Sequence, residues 1–506
     1  MKLAPLLLLT ACGTSATLPA VRFADAPIAT VVNDRVNVPA PPAKRELSSD
    51  AWGYEGSVER PLDDKLDLRR HRRARGVNAL DEVPDSTWFT NRGPLTAEQI
   101  RIGPSSGDSP ELHKPWKIVG GQVGGTSHGL IVQDQRGYRY LLKFDHPGFP
   151  EVETAIDVIV DRLVWACGYN VPDDRVVYLR PEDLVSDQPV DLDRYDRDAE
   201  GRYRAVVSRF VPGKPIGGPP FTGTRPDDPN DLIPHEQRRD LRGLAAIFAW
   251  LDAVDVIPGN FLDAWVADPA DPSIHYVVHY AIDFGKSLGA MGAMGHDLRR
   301  GKTYRFDWAA MTRALFTVGL VEPSYAERPR VSIPGVASLF DATSFDPAAW
   351  HPDVPFPAFE HADAYDQYWG AKLIARFTRE QLHAAVEAGR LSDPRAVEYL
   401  TDTLYARARK STAYWFARVA PLEQFTLGRE LCFTDLAATP ATRYTVTPFD
   451  RAGHYLAKPS TTSRTCVRVP DRDKYTIVRI AVERSEVRAS IDVHLEHHRV
   501  IGVWRE

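Results

Sequence analysis

Cysteine is scarce in this 506-residue chain: Cys12, Cys167, Cys432 and Cys466 are the full set. No two of them form a C-x-x-C pair, and their spacing does not suggest a metal site. There is no excess of basic residues either. Lys and Arg number 62 against 68 Asp and Glu, for a formal net charge of −6. With no basic stripe along the chain, nucleic acid is excluded as the expected partner. No stretch reaches the roughly 18 consecutive apolar residues of a membrane-spanning helix. Proline is plentiful, at 40 residues, and points to long connections and extended segments. The length suffices for at least one large core, and on length alone for two domains and a tail.

The first residues bear on the compartment. Lys2 precedes a short apolar run, Leu3–Leu9, and Leu9-Thr10-Ala11-Cys12 follows. The run is too short to span a bilayer and has the form of a signal peptide. The tetrapeptide resembles a bacterial lipobox, which implies a lipid on Cys12 as the mature N-terminus and attachment to a membrane. A plain signal peptide or a mis-called start codon is the alternative. Gly13, where inner-membrane sorting uses Asp, implies the outer membrane of a bacterial cell envelope. Residues 1–11 are thus expected to be a signal peptide and residues 12–75 a lipid-anchored tether, poor in periodic apolar residues and carrying Pro39-Ala40-Pro41-Pro42. Val83–Arg92, VPDSTWFTNR, reads as a clasp whose Trp88 and Phe89 pack on the domain that follows.

From Trp116 the pattern is β-like. A glycine-rich turn, Gly120 to Ser127, includes Gly121, Gly124 and Gly125. Such a turn lets backbone N–H groups approach phosphate oxygens, but it fits neither G-x-G-x-x-G nor the P-loop, and a turn with no ligand fits it equally. Two strands follow around the hairpin signal Asp134-Gln135-Arg136-Gly137, and the second ends at Lys143. Glu151–Gly168 has helical periodicity, and Glu153 or Asp157 on it could pair with Lys143. The helix phase does not separate the two; Glu153 is taken as the expected partner. A strand-edge lysine and a solvated carboxylate are the plain alternatives. Pro212-Gly213-Lys214-Pro215 then breaks the chain.

Arg238–Leu251 reads as an amphipathic to fully apolar helix feeding a loop with Asp255 and Asn260 five positions apart, and Pro258-Gly259 makes the turn between them. A hairpin's length later, Asp283-Phe284-Gly285 ends a strand on which His275 and His279 read as structural. Phosphoryl transfer needs charge neutralisation on the terminal phosphates, an acid to orient the attacking hydroxyl, and oxygen ligands for Mg²⁺. Asp255, Asn260 and Asp283 are the residue types for those tasks.

In this order, Lys143, a helix acid, Asp255, Asn260 and Asp283 resemble the protein-kinase-like superfamily, and among its atypical branches the HipA-type, CotH-type and phosphoinositide kinases. The resemblance covers roughly Trp116 to Gly289, with helices to about Phe425. It implies an α+β fold: a two-lobed kinase-like domain with a β-rich N-lobe and a helical C-lobe, and an ATP cleft between them. It also implies Lys143 on the nucleotide phosphates, Asp255 as catalytic acid, and Asn260 and Asp283 as Mg²⁺ ligands. Ala253-Val254 and Ile257 depart from the residues that usually flank the catalytic Asp. Residues 76–213 would be clasp and N-lobe, 214–427 the C-lobe. Residues 428–506 read as a small β-domain of sandwich type, suited to an envelope protein or a glycan. Cys432 and Cys466 lie in this part and are a candidate pair, which spacing does not decide. The function expected is Mg-ATP-dependent phosphotransfer to a hydroxyl of unidentified acceptor, with a non-catalytic, pseudokinase-type binding scaffold as the alternative.

Overall fold

The computed structural model describes residues 19–24, 28–45, 54, 72–105, 107–121, 129–187, 190–291, 297–323, 325–470, 473–484 and 487–506. The fold is mixed α+β, and the chain divides into two compact units. One comprises residues 29–78 and 82–418; the other comprises residues 419–506 with the described residues up to Ile28 and residues 79–81.

In the larger unit, α1 (Ala97–Ile102) starts from a capping box between Thr96 and Gln99. Strands β1 (Trp116–Gly120), β2 (Gly129–Gln133) and β3 (Arg139–Phe144) follow as an antiparallel meander. The β2–β3 turn forms because the Asp134 carboxylate accepts from the N–H groups of Arg136 and Tyr138, while Gly137 takes a positive φ of 88°. Helix α2 (Glu153–Cys167), β4 (Asp174–Leu179), β5 (Leu184–Val185) and β6 (Tyr203–Arg209) complete a six-stranded sheet of order β4-β6-β3-β2-β1-β5. One face of this sheet buries Trp116, Leu142, Val177 and Tyr203. On the other, Val158 of α2 packs against Val176 and Val206. Helix α2 is buried along most of its length, with Asp157, Asp161 and Arg162 among its buried residues.

Gly168 ends α2 at φ 123°, where a Cβ would overlap the Phe89 ring; only glycine fits. Phe89 is fully buried between Tyr169 and Trp369, and Trp88 stacks on His279 with ring centroids 3.7 Å apart.

Strand β7 (Lys214–Pro215) precedes α3 (Arg239–Leu251) and pairs with the β8 (Phe261–Ala267)–β9 (His275–Ala281) hairpin. Helices α4 (Trp308–Thr317), α5 (Pro357–Glu360), α6 (Ala364–Ile374), α7 (Arg379–Ala388) and α8 (Pro394–Phe416) follow. Asp393 caps α8 with Pro394 at its first position. One continuous core joins α2, α3 and α6–α8 through Ile159, Leu163, Ile247, Trp250, Leu373 and Leu404.

The expectation of a free tether is not met over residues 29–45. Val38 N–H donates to His275 O at 2.7 Å, Trp265 Nε1 donates to Val38 O at 2.9 Å, and Arg45 N–H donates to Ile216 O at 3.0 Å. Asp34 is buried and accepts from the backbone N–H and hydroxyl of Thr87. These are backbone and polar attachments, which leave no apolar period in the sequence.

The smaller unit is all β. Strands β10 (Leu422–Leu427), β11 (Leu431–Asp435) and β14 (Cys466–Val467) form one sheet. Strands β12 (Arg443–Phe449), β13 (Ser460–Thr462), β15 (Thr476–Arg484), β16 (Val487–Glu496) and β17 (Arg499–Arg505) form another, of order β13-β12-β15-β16-β17. Leu431, Phe433, Ile480, Ile491 and Val493 share a core. Cys432 and Cys466 face each other across β11 and β14 and are joined as a disulfide. His494 is buried beside Tyr475, whereas His497 and His498 are exposed in the β16–β17 turn. Among the described residues no group of three or more His, Cys, Asp or Glu could hold a metal ion, and no helix is long and apolar enough to cross a membrane.

Candidate active site

Lys143 stands at the penultimate position of β3. Its Nζ lies 2.8 Å from Asp283 Oδ1 and 3.3 Å from Asp157 Oδ2. Strand alternation turns Leu142 and Phe144 into the sheet core and Lys143 to the opposite face, where α2 crosses. The start of α2 is fixed by Asp145, which accepts from the N–H groups of Glu151 and Thr154 and from the Thr154 hydroxyl. That anchoring sets which turn of α2 faces the lysine.

The facing residue is Asp157. Glu153, the expected partner, lies one turn earlier and lines a neighbouring cavity with Phe149, Val152 and Ala290. The correction has a simple cause: Glu153 and Asp157 stand four positions apart on one stripe of α2, which Asp161 continues, so helix phase alone cannot separate them. Asp157 also accepts from the N–H of Phe284 at 2.7 Å. One carboxylate therefore ties the β3 lysine to the Asp283-Phe284-Gly285 backbone. Asp283 itself has φ 61°, the left-handed conformation that Asp tolerates better than most residues.

The electrostatics follow from burial. Burial opposes the Lys143 charge, but Asp157 and Asp283 outweigh it and hold the ammonium above its usual range. Lys143 holds the Asp283 carboxyl below the usual carboxylate range. Burial pushes Asp157 up against the pull of Lys143. Burial, with Asp145 and Asp157 beside it, raises Glu153 to about 7. The Asp157 side chain is 4% exposed and that of Asp283 52%. Asp157 is thus committed to the protein, while Asp283 is open to a ligand.

Asp255 and Asn260 sit on the loop between α3 and β8. Asn260 Nδ2 donates to Asp255 O at 2.7 Å, and Ile282 N–H donates to Asn260 O at 3.0 Å, which ties the loop to the end of β9. Asp255, Asn260, Asp283 and Lys286 line one pocket. Lys286 Nζ lies 2.8 Å from Asp255 Oδ2. Sequence reasoning missed Lys286, whose signal was its position directly after Asp283-Phe284-Gly285.

Two nearby acids are structural. Asp252 takes φ 49° at the end of α3 and binds buried Arg300 and the Trp350 indole. Asp263 is fully buried between Arg225 at 3.0 Å and His279 at 2.7 Å. Gly121 is exposed just past β1. Gly124, Gly125 and Cys12 lie outside the described residues.

The donor set fits a magnesium–nucleotide complex. Asp283 keeps Oδ2 free of the Lys143 bond, and Asn260, with its amide N–H donated to Asp255, keeps its carbonyl oxygen. One carboxylate, one amide oxygen and phosphate oxygens are the ligands Mg²⁺ takes in such sites.

No family model and no curated protein sequence matches this chain. Among solved structures, it is similar to the Helicobacter pylori proinflammatory kinase CtkA, at 10% identity and a TM-score of 0.31, over 60% of this chain and 96% of that one. It is also similar to the Rio2 kinase of Chaetomium thermophilum in its ADP/Mg²⁺-phosphoaspartate complex, at 15% identity and a TM-score of 0.25, over 60% of this chain and 73% of that one.

Proposed function

We propose that this protein binds a nucleoside triphosphate with Mg²⁺ in a kinase-like two-lobed unit and transfers the terminal phosphoryl group to a hydroxyl. The observation that supports this reading is the bridge of Lys143 to both Asp157 and Asp283, with Asp283 lining one pocket together with Asp255 and Asn260. Lys143 would neutralise the inner phosphates. Asp283 and Asn260 would hold the metal, which neutralises charge on the β- and γ-phosphates. Asp255 would take the proton from the acceptor hydroxyl as its oxygen attacks the terminal phosphorus. The bond from that phosphorus to the oxygen bridging it to the β-phosphate would break, and the nucleoside diphosphate would leave. A lipid on Cys12 would hold the unit at the outer membrane, and the all-β unit would meet an envelope protein or glycan. Detergent partitioning of Cys12→Ser tests the anchor.

The direct test is a thermal-shift titration of the full chain with ATP and Mg²⁺, beside Asp283→Ala. Ligand at a hundred times its Kd stabilises by about 2.7 kcal/mol. A Mg²⁺-dependent shift, abolished in Asp283→Ala, is the expected result. No shift at millimolar ATP refutes the nucleotide reading. Binding without phosphotransfer to any hydroxyl acceptor leaves the scaffold reading.

A further inference from the structure

We propose that Lys286 is the cation that contacts the terminal phosphoryl group and orients Asp255 for proton transfer; this rests on the nucleotide reading above. The phosphoryl end of a bound nucleotide would face two carboxylates here, Asp255 and Asp283, so it needs a positive group on the Asp255 side. Lys143 is already held between Asp157 and Asp283 and does not line the pocket that Asp255 lines. The segment from Asp252 to Phe261 contains no Lys, Arg or His. Lys286 is the lysine that reaches the site, with Nζ 2.8 Å from Asp255 Oδ2 on the pocket that also holds Asn260 and Asp283.

Its backbone is held firmly while its tip is not. The carbonyl of Lys286 accepts from Arg300, which is itself buried against Asp252. Two residues on, Leu288 N–H donates to Leu251 O at 2.9 Å. The Lys286 side chain is 35% exposed, against 14% for Asp255. A fixed base and a partly exposed ammonium let the lysine meet an arriving phosphate while it keeps Asp255, without moving the chain. Its contact with Asp255 holds that carboxylate in place before the nucleotide arrives.

A purely structural ion pair would have the same distance, so the test reads the phosphate and not activity. Mg-ATP and Mg-ADP are titrated calorimetrically against the full-length wild type, Lys286→Met and Lys286→Arg, with melting curves as the folding control. Lys286→Met is expected to weaken ATP at least tenfold and ADP less than twofold, and Lys286→Arg to keep most of the ATP preference. If Lys286→Met melts early, Lys286→Gln takes its place with the same expectation. Equal loss for ATP and ADP, or no loss for either, overturns the role of Lys286 and leaves the nucleotide reading standing. A wild type that binds neither nucleotide overturns both.

Discussion

Replacing Asp157 separates the observed network from the one expected from sequence. Asp157→Ala removes two interactions at once: the ion pair with Lys143 and the acceptor for the Phe284 N–H. A buried donor left without a partner costs about 1–3 kcal/mol. Breaking a buried ion pair costs about 3–5 kcal/mol when the other charge is stranded, but Lys143 keeps Asp283, so the lower end or less applies. Burial also disfavours the Asp157 charge, and its removal returns part of the loss. The sum is about 2–4 kcal/mol. Asp157→Asn keeps an amide oxygen for Phe284 and should lose about half as much. For a unit this large, each kcal/mol shifts the melting midpoint by about 2 °C. Asp157→Ala should therefore melt about 4–8 °C lower by differential scanning calorimetry at pH 7, Asp157→Asn about half of that, and Glu153→Gln no lower than wild type. A Glu153→Gln loss equal to that of Asp157→Ala would refute the assignment, as would a harmless Asp157→Ala.

The pH dependence of Glu153 has a definite sign. Its folded value, about 7, lies above the unfolded value of 4.5, so the native state binds more protons between those limits. Its contribution to stability falls as pH rises from about 4.5 to 7, by up to about 3 kcal/mol before discounting for partial exposure. Glu153→Gln should accordingly raise the melting temperature at pH 8 and leave it unchanged at pH 4.5, which parallel melts would check. Reduction of the Cys432–Cys466 disulfide, which closes a loop of 34 residues, should destabilise the all-β unit by about 3–4 kcal/mol, visible as earlier loss of its thermal transition in dithiothreitol. Gly168→Ala combines a positive φ with overlap on the Phe89 ring and should cost about 2–4 kcal/mol; a melt within 1 °C of wild type would contradict the packing described.

Legibility in the sequence followed local chemistry. The β2–β3 hairpin was readable because Asp134 and Gly137 make the turn themselves, and α8 because Asp393-Pro394 is a complete start signal. Gly168 marked the end of α2 in the same way. Asp157 was not separable from Glu153, since the two are one turn apart on the same helix face, and the anchoring of the helix start by Asp145 decides which turn meets Lys143. Lys286 was missed because its partner Asp255 is 31 positions away. Residues 29–45 read as a tether because backbone and buried polar bonds hold them, and such bonds impose no period. Asp252 and Asp263 carry no mark of burial in the sequence itself. Their burial depends on Arg300, Arg225 and His279, which only the folded chain brings to them.

The placement of Asp157 constrains how the cleft can change. Its two oxygens are divided between Lys143 on β3 and the Phe284 N–H, so α2, the six-stranded sheet and the Asp283-Phe284-Gly285 segment share one junction. Helix α2 has little freedom to move away from it. Ile159 lies against Gly389 at the end of α7, where the added methyl of an alanine would already be too close. Arg204 of β6 donates to the carbonyls of Gly389 and Arg390 and to the Thr154 hydroxyl on α2. A rotation of α2 that brought Glu153 to Lys143 would break these bonds and expose the Phe284 N–H together. The position of Asp283 is consequently fixed by its neighbours: Lys143 holds one of its oxygens, and Asp157 holds both that lysine and the N–H of the next residue.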